Sequence, residues 1–297
     1  MFQLFIEQCH CEEVEWLSDA LEEAGAVSVT LTDRFDDPIL EPAPGEIPLW
    51  TNVVVCGLFE DEKDAEHAQK ALSKQYPHLQ FSIHTLPDQD WERACMDNFK
   101  PQQFGQRLWI CPSWLTPPDP HAVNLILDPG LAFGTGSHQT TSLCLTWLEQ
   151  ANVSQKTIID YGCGSGILGL AALKLGAKHV YAVDIDEQAL LATKSNAMGN
   201  AITDQQLTTG QPSILQEAVE LLLANILLSP LLALQSSFHT LLKPTGQLVV
   251  SGILVDQIQV LIDSYHANFE HQATFLQDDW ALVVFTPRAV PLQQITH

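Results

Sequence analysis

The hydrophobic positions of residues 1–85 switch between short strand-like runs and helical spacing. Phe2–Ile6 alternates loosely and predicts a strand. Val14, Leu17, Leu21 and Ala24 then recur at helical spacing, and Gly25 closes that helix. Val27–Thr32, Asn52–Phe59 and Leu79–His84 predict three further strands, with a charged helix over Asp61–Tyr76 showing an Ala-Ala-Leu inner face. The stretch Asp36–Pro48 carries Pro38, Pro42, Pro44 and Pro48, and reads as a long loop. The order β-α-β-β-α-β predicts a small ferredoxin-like α+β domain over residues 1–85, a fold that fixes no chemistry by itself. Residues 86–100, with Trp91 and Phe99 among charges, read as a linker containing a helix, its aromatics acting as packing anchors.

Residues 101–297 predict a larger α/β domain. Arg107–Cys111 and Val123–Leu127 are short strands. Three glycines and a proline keep Asp128–His138 out of regular structure, and helix Gln139–Glu149 follows. Next come the apolar strand Thr157–Ile159, the turn Asp160-Tyr-Gly-Cys-Gly-Ser-Gly166, an apolar helix Ile167–Leu175, and strand His179–Val183 delivering Asp184. Strand, glycine turn, helix, strand and acid is how a doubly wound, Rossmann-like sheet holds an adenosine-containing ligand at its carboxyl edge. Residues 202–213 offer a weak third strand, with Asp204 its one acidic candidate for an adenine contact, and none is assigned there. Val219–Ala224 and Gln247–Ser251 continue the sheet, and Ala273–Gln277 with Ala281–Phe285 forms an antiparallel end pair.

Two ligands compete for the glycine turn. Gly164, Gly166 and Gly169 fit the dinucleotide pattern G-x-G-x-x-G. Gly162, Gly164 and Gly166, with Asp160 before them, fit instead the G-x-G-x-G of S-adenosyl-L-methionine-dependent methyltransferases. Charge favours the second reading. A pyrophosphate at this turn would be repelled by Asp160, whereas an ammonium and a sulfonium would be attracted. An antiparallel end pair is also commoner in methyltransferases than in dehydrogenases. On this reading Asp160, Gly162, Gly164 and Gly166 cradle the cofactor, and Asp184 accepts from two ribose hydroxyls.

Asn225 and Ile226 fall where the fourth strand ends. The Asn225 side-chain carbonyl and the next backbone carbonyl can hold an amine with its lone pair aimed at a methyl group. Desolvation there eases deprotonation of an alkylammonium. The rival account is that Asn225 merely terminates a strand. Thr141 offers the cofactor a hydroxyl, unless it only caps its helix. His138 is a candidate proton acceptor, although a lone histidine is more often structural, and it is not assigned as the base.

Composition narrows the classes. The chain of 297 residues can bury two ordinary cores. Its start, Met-Phe-Gln-Leu-Phe-Ile-Glu, has no basic segment, so no secretory signal is expected. The greasiest stretch, Ala218–Leu234, holds Glu220, Asn225, Ser229 and Pro230 and suits a buried strand and helix start rather than a membrane span. Seven scattered cysteines point to reduced thiols and a cytoplasmic protein, and Cys9-His10-Cys11 lacks a second pair at zinc spacing. Of the net charge of −23, residues 1–99 carry −16. Such a front end repels nucleic acid and attracts basic partners, unless it serves solubility alone.

Asp128-Pro-Gly-Leu-Ala-Phe-Gly-Thr-Gly-Ser-His138, Asp160–Gly166, Val183-Asp-Ile-Asp186 and Ala224-Asn-Ile-Leu227 resemble the PrmA-type ribosomal protein methyltransferases. Asp90-Trp-Glu-Arg93 and Met96-Asp-Asn-Phe-Lys-Pro101 are similar too, so the resemblance spans nearly the whole chain. It implies methyl transfer to lysine side chains and the N-terminal amine of large-subunit ribosomal protein eleven. It further implies a front domain that recognises substrate and cofactor contacts at Thr141, Gly162, Asp184 and Asn225. Methylation of another protein, RNA or a small molecule, NAD-dependent hydride transfer, and nucleotide binding without catalysis stay open as alternatives.

Overall fold

A computed structural model describes residues 1–35, 39, 46–87, 99–128 and 138–288. The proline-rich loop, most of the 86–100 linker with Trp91, and 129–137 of the glycine-rich motif fall wholly or largely outside the described residues. Contacts divide the chain into two compact units, Met1–Cys95 and Met96–His297.

The first unit contains β1 (Phe2–His10), α1 (Val14–Glu23), β2 (Ser28–Asp33), β3 (Asn52–Phe59), α2 (Glu62–Gln75) and β4 (Phe81–Thr85). Its sheet runs β2-β3-β1-β4 with every pair antiparallel, which is the split βαβ arrangement that the sequence predicts. Alternation along β1 and β3 puts Leu4, Ile6, Val53, Val55 and Phe59 on one face. Val14, Leu17 and Leu21 of α1, and Ala65, Ala68 and Leu72 of α2, bury against that face. β1 runs beyond its predicted end because a bulge between Ile6 and Cys9 turns Cys9 inward.

The second unit opens with a three-stranded sheet of β5 (Gln102–Phe104), β6 (Leu108–Cys111) and β7 (Val123–Ile126). After it come α3 (Gln139–Gln150), β8 (Thr157–Tyr161), α4 (Ile167–Lys174), β9 (His179–Val183), α5 (Glu187–Gly199), β10 (Leu207–Gly210) and β11 (Val219–Asn225). The unit closes with α6 (Leu228–Thr240), β12 (Leu242–Leu254), α7 (Ile258–Tyr265), β13 (Phe269–Gln277) and β14 (Trp280–Pro287). These make a seven-stranded sheet ordered β10-β9-β8-β11-β12-β14-β13. The first five strands are parallel, and β14 inserts antiparallel between β12 and β13. Parallel strands covered on both faces read as continuous apolar runs. Leu221–Ala224 and Leu248–Val250 are buried at every position accordingly. No helix among the described residues is long and apolar enough to cross a membrane.

A side chain, rather than a strand, holds the open edge of β7. Asn200, buried at the end of α5, accepts from Ile126 N at 2.8 Å and donates to Ile126 O at 2.6 Å. The same amide group donates to Asn196 O at 2.8 Å. Replacing it by leucine leaves the half-buried N–H and C=O of Ile126 without that partner, which costs up to about 1–3 kcal/mol for each group. Asn200→Leu is therefore expected to lower the urea midpoint markedly, and an unchanged midpoint would mean that β7 needs no such partner.

Candidate functional site

The carboxyl ends of β8, β9 and β11 meet at a cavity of about 540 Å³. Parallel strands deliver loops to this edge, so residues distant in sequence converge there. Thr141, Asp160, Gly162, Gly164, Asp184, Asn225 and Ile226 all line it. Gly166 does not. It caps α4 at φ 80°, and a Cβ there would stand 2.7 Å from the Thr193 side chain. Its structural part is to let α5 approach the turn.

The turn is fastened on both sides. Gly162 N and Cys163 N both donate to Val183 O, at 2.8 and 3.1 Å. From α5, Thr193 Oγ1 donates to Gly164 O at 3.0 Å and Asn196 Nδ2 to Ser165 O at 2.8 Å. Gly162 sits at φ 73°, where a Cβ would lie 2.4 Å from Ile226 Cγ2. Glycine is therefore required there by conformation and by space. Asp184 accepts from Gly164 N through Oδ2 and from Asp186 N through Oδ1, each at 3.0 Å. Two amides fix the carboxylate, and its remaining lone pairs stay free for a ligand.

Asp160 is 1% exposed, and its Oδ2 accepts from Gly169 N at 2.8 Å. Gly169 is the third residue of α4, so the carboxylate occupies one of the helix-end amides that a pyrophosphate would use. Burial pushes the Asp160 carboxyl up to about 7, with the Asp184 charge adding to the rise and the Gly169 bond opposing it. Cys163 of the turn and Cys144 of α3 are buried thiols raised the same way, too protonated to act as nucleophiles.

Asn225 Nδ2 donates to Thr141 Oγ1 at 3.4 Å, which leaves the Asn225 carbonyl oxygen for another donor. Thr141 is buried and is not the helix cap. His138 takes that place, its Nδ1 accepting from Thr140 N at 3.3 Å. Burial lowers the His138 pKa, in keeping with a neutral, accepting ring.

Sequence reasoning missed part of the wall. Tyr161, Leu168, Ile185 and Pro212 border the cavity, as do Pro230, Ala233 and Leu234 of α6. Their only sequence signal is adjacency to the motifs. Asp204 lines a separate groove beside α5. Gly252 was also missed: at φ 83°, a Cβ there would lie 2.6 Å from the Ile226 carbonyl oxygen, so only glycine leaves that acceptor uncovered. Among the described residues, no cluster of three or more His, Cys, Asp or Glu could hold a metal.

Residues 2–288 match the family of ribosomal protein L11 methyltransferases (PrmA). A protein named ribosomal protein L11 methyltransferase from Legionella pneumophila strain Lens is 58% identical over 287 residues, 97% of this chain and 99% of its own. One of the same name from Nitrosococcus oceani is 50% identical over 276 residues, 91% of this chain and 94% of its own. The crystal structure of a ribosomal protein L11 methylase from Lactobacillus delbrueckii subsp. bulgaricus is 34% identical, with a TM-score of 0.59. It is covered over its full length, 100%, and matches 64% of this chain.

The raised Asp160 pKa has a consequence for the ligand-free protein. Its folded value lies above the unfolded carboxyl value of about 4, so ionising it opposes folding as pH rises from about 4 through about 7. Asp160→Asn, which keeps an acceptor for Gly169, is expected to melt level with wild type near pH 4 and higher near pH 8. An equal gap at both pH values would contradict the assignment.

Proposed function

The chain belongs to the ribosomal protein L11 methyltransferase family, and we propose that Asn225 and Ile226 aim the accepting amine in a cavity built around Asp160, Asp184 and the glycine turn. Its activity is methyl transfer from S-adenosylmethionine to ribosomal protein L11. The cofactor, when bound, supplies a sulfonium methyl group that an amine can displace. The residues present suit such a ligand. Two carboxylates line the cavity with no Lys or Arg among its described lining, and Gly162 lies where any Cβ would strike Ile226. The observation that carries this reading is Asp160: an enclosed carboxylate on a helix-end amide favours a cation over a phosphate.

Each wall residue has a defined task in this account. Asp184 receives the ribose hydroxyls, pre-oriented by Gly164 and Asp186. Gly162 and Gly164 admit the ligand next to the main chain, while Gly166 shapes the turn from behind. Ile185 and Pro212 provide an apolar flank for a flat base. Thr141 turns the Asn225 amide so that its oxygen faces the amine, and Gly252 keeps the Ile226 carbonyl open as the second acceptor. Two acceptors hold the hydrogens of a neutral amine and leave its lone pair directed at the methyl. The surrounding apolar wall favours the neutral amine, since burial lowers an ammonium's pKa.

The amines, on this reading, are lysine side chains and the N-terminal amine of the ribosomal protein. Residues 1–85 form the recognition domain, 86–100 the linker and 101–297 the methyltransferase domain. A charge of −16 over residues 1–99 supports docking of a basic protein in the cytoplasm without direct contact with nucleic acid or membrane. Incubating the full chain with labelled cofactor and free L11 tests it. Label on L11 lysines and N-terminus is expected, and label confined to RNA or absent from L11 would reject it.

Asp184→Ala removes charge-assisted bonds worth about 1.5–3 kcal/mol, so donor affinity should fall more than tenfold by calorimetry. Asn225→Ala should instead lower kcat with donor affinity little changed. The reverse pattern would contradict its orienting role.

A further inference from the structure

Asp160 is a buried acid whose ionised form no cation in the described protein neutralises. It lies at the end of β8 with 1% of its surface exposed, and Gly169 of α4 provides its hydrogen bond. β11 brings apolar Leu223 alongside, paired with it in register. The titratable groups facing it are Asp184 from the end of β9, Cys144 from α3 and Cys163 from the turn. Asp184 adds negative charge, and both thiols are held neutral by burial. No Lys, Arg or His among the described residues pairs with it. Among the described residues none supplies a counter-charge to this buried carboxylate, which leaves that part to a ligand or a proton.

We propose that Asp160 distinguishes the methyl donor from the spent product by charge, standing as a carboxylate under the cationic donor and as a carboxylic acid under the neutral-sulfur product. This inference rests on the reading that the cavity holds S-adenosylmethionine. In the transfer the amine lone pair forms the new N–CH3 bond, and the S–CH3 pair stays on sulfur, which loses its positive charge. The amine nitrogen carries that charge away with the protein substrate. Asp160 then takes a proton from solvent onto a carboxylate oxygen, and the product is held without an unbalanced anion beneath it. Burial and Asp184 keep the Asp160 carboxyl at about 7 in the ligand-free protein, where one nearby ligand charge decides its state.

Calorimetry of the full chain with S-adenosylmethionine and with S-adenosylhomocysteine, at pH 6 and pH 8 in two buffers of different ionisation enthalpy, tests the proposal. The amino-acid end of both ligands titrates alike, so the ratio of their dissociation constants isolates Asp160. The donor should weaken about a hundredfold relative to the product from pH 8 to pH 6, because the two complexes differ by one proton and each pH unit then changes the ratio about tenfold. Donor binding at pH 6 should release close to one more proton than product binding. Asp160→Asn should hold the ratio constant across the range; should that variant fold poorly, the wild-type proton count decides alone. A wild-type ratio that is flat between pH 6 and pH 8, with equal proton release, overturns the proposal. Failure of the donor to bind at any pH overturns instead the reading beneath it.

Discussion

A carboxylate closed off from water, without a cation to balance it, is expensive to keep unless a ligand compensates it. Asp160 is such a group, and the rear unit is arranged around it. β8 must run far enough to carry it under the turn, and Gly169 must lack a Cβ, since one there would stand 3.0 Å from Asp160 Oδ2. The helix amide it captures is thereby withdrawn from phosphate binding. On the proposed reading, that hydrogen bond weighs against a phosphorylated ligand and for a cationic one at the same glycine turn.

The rest of the site follows from making the turn rigid around that charge. Val183 O binds two successive amides of the turn, Asp184 binds a third, and α5 binds two of its carbonyls. On the far side, β11 ends at Asn225 just before Ile226 and pairs with β8 directly, so the proposed amine and cofactor elements are set by adjacent strands of one sheet. Parallel pairing fixes their relative height to within a residue, a precision that loops alone do not offer.

Much of this was readable before any coordinates. The parallel strands announce themselves because burial on both faces leaves no polar alternation to mask them. The front module was legible because Leu4, Ile6, Val53 and Val55 alternate while Val14, Leu17 and Leu21 recur at helical spacing. What escaped has physical reasons. α5 carries Leu191 and Met198 on its exposed side, which blurs any helical stripe. β12 begins in Leu-Lys-Pro-Thr-Gly, a segment that reads as a turn. Asn200 acts as a surrogate strand partner, and Gly252 spares a carbonyl 26 positions earlier in the chain; neither contact leaves a mark in local sequence. Gly166 fits the motif as well as its neighbours, yet its vacant side faces Thr193, because a motif records backbone shape as much as ligand contact.

The central claim is that this cavity accepts a positively charged methyl donor in preference to a phosphorylated dinucleotide. Titrating the full chain with S-adenosylmethionine and NAD side by side, at one pH and one salt concentration, tests it most directly. The account predicts saturable one-to-one binding of the first and no measurable heat from the second. Binding of NAD that S-adenosylmethionine cannot displace would contradict it.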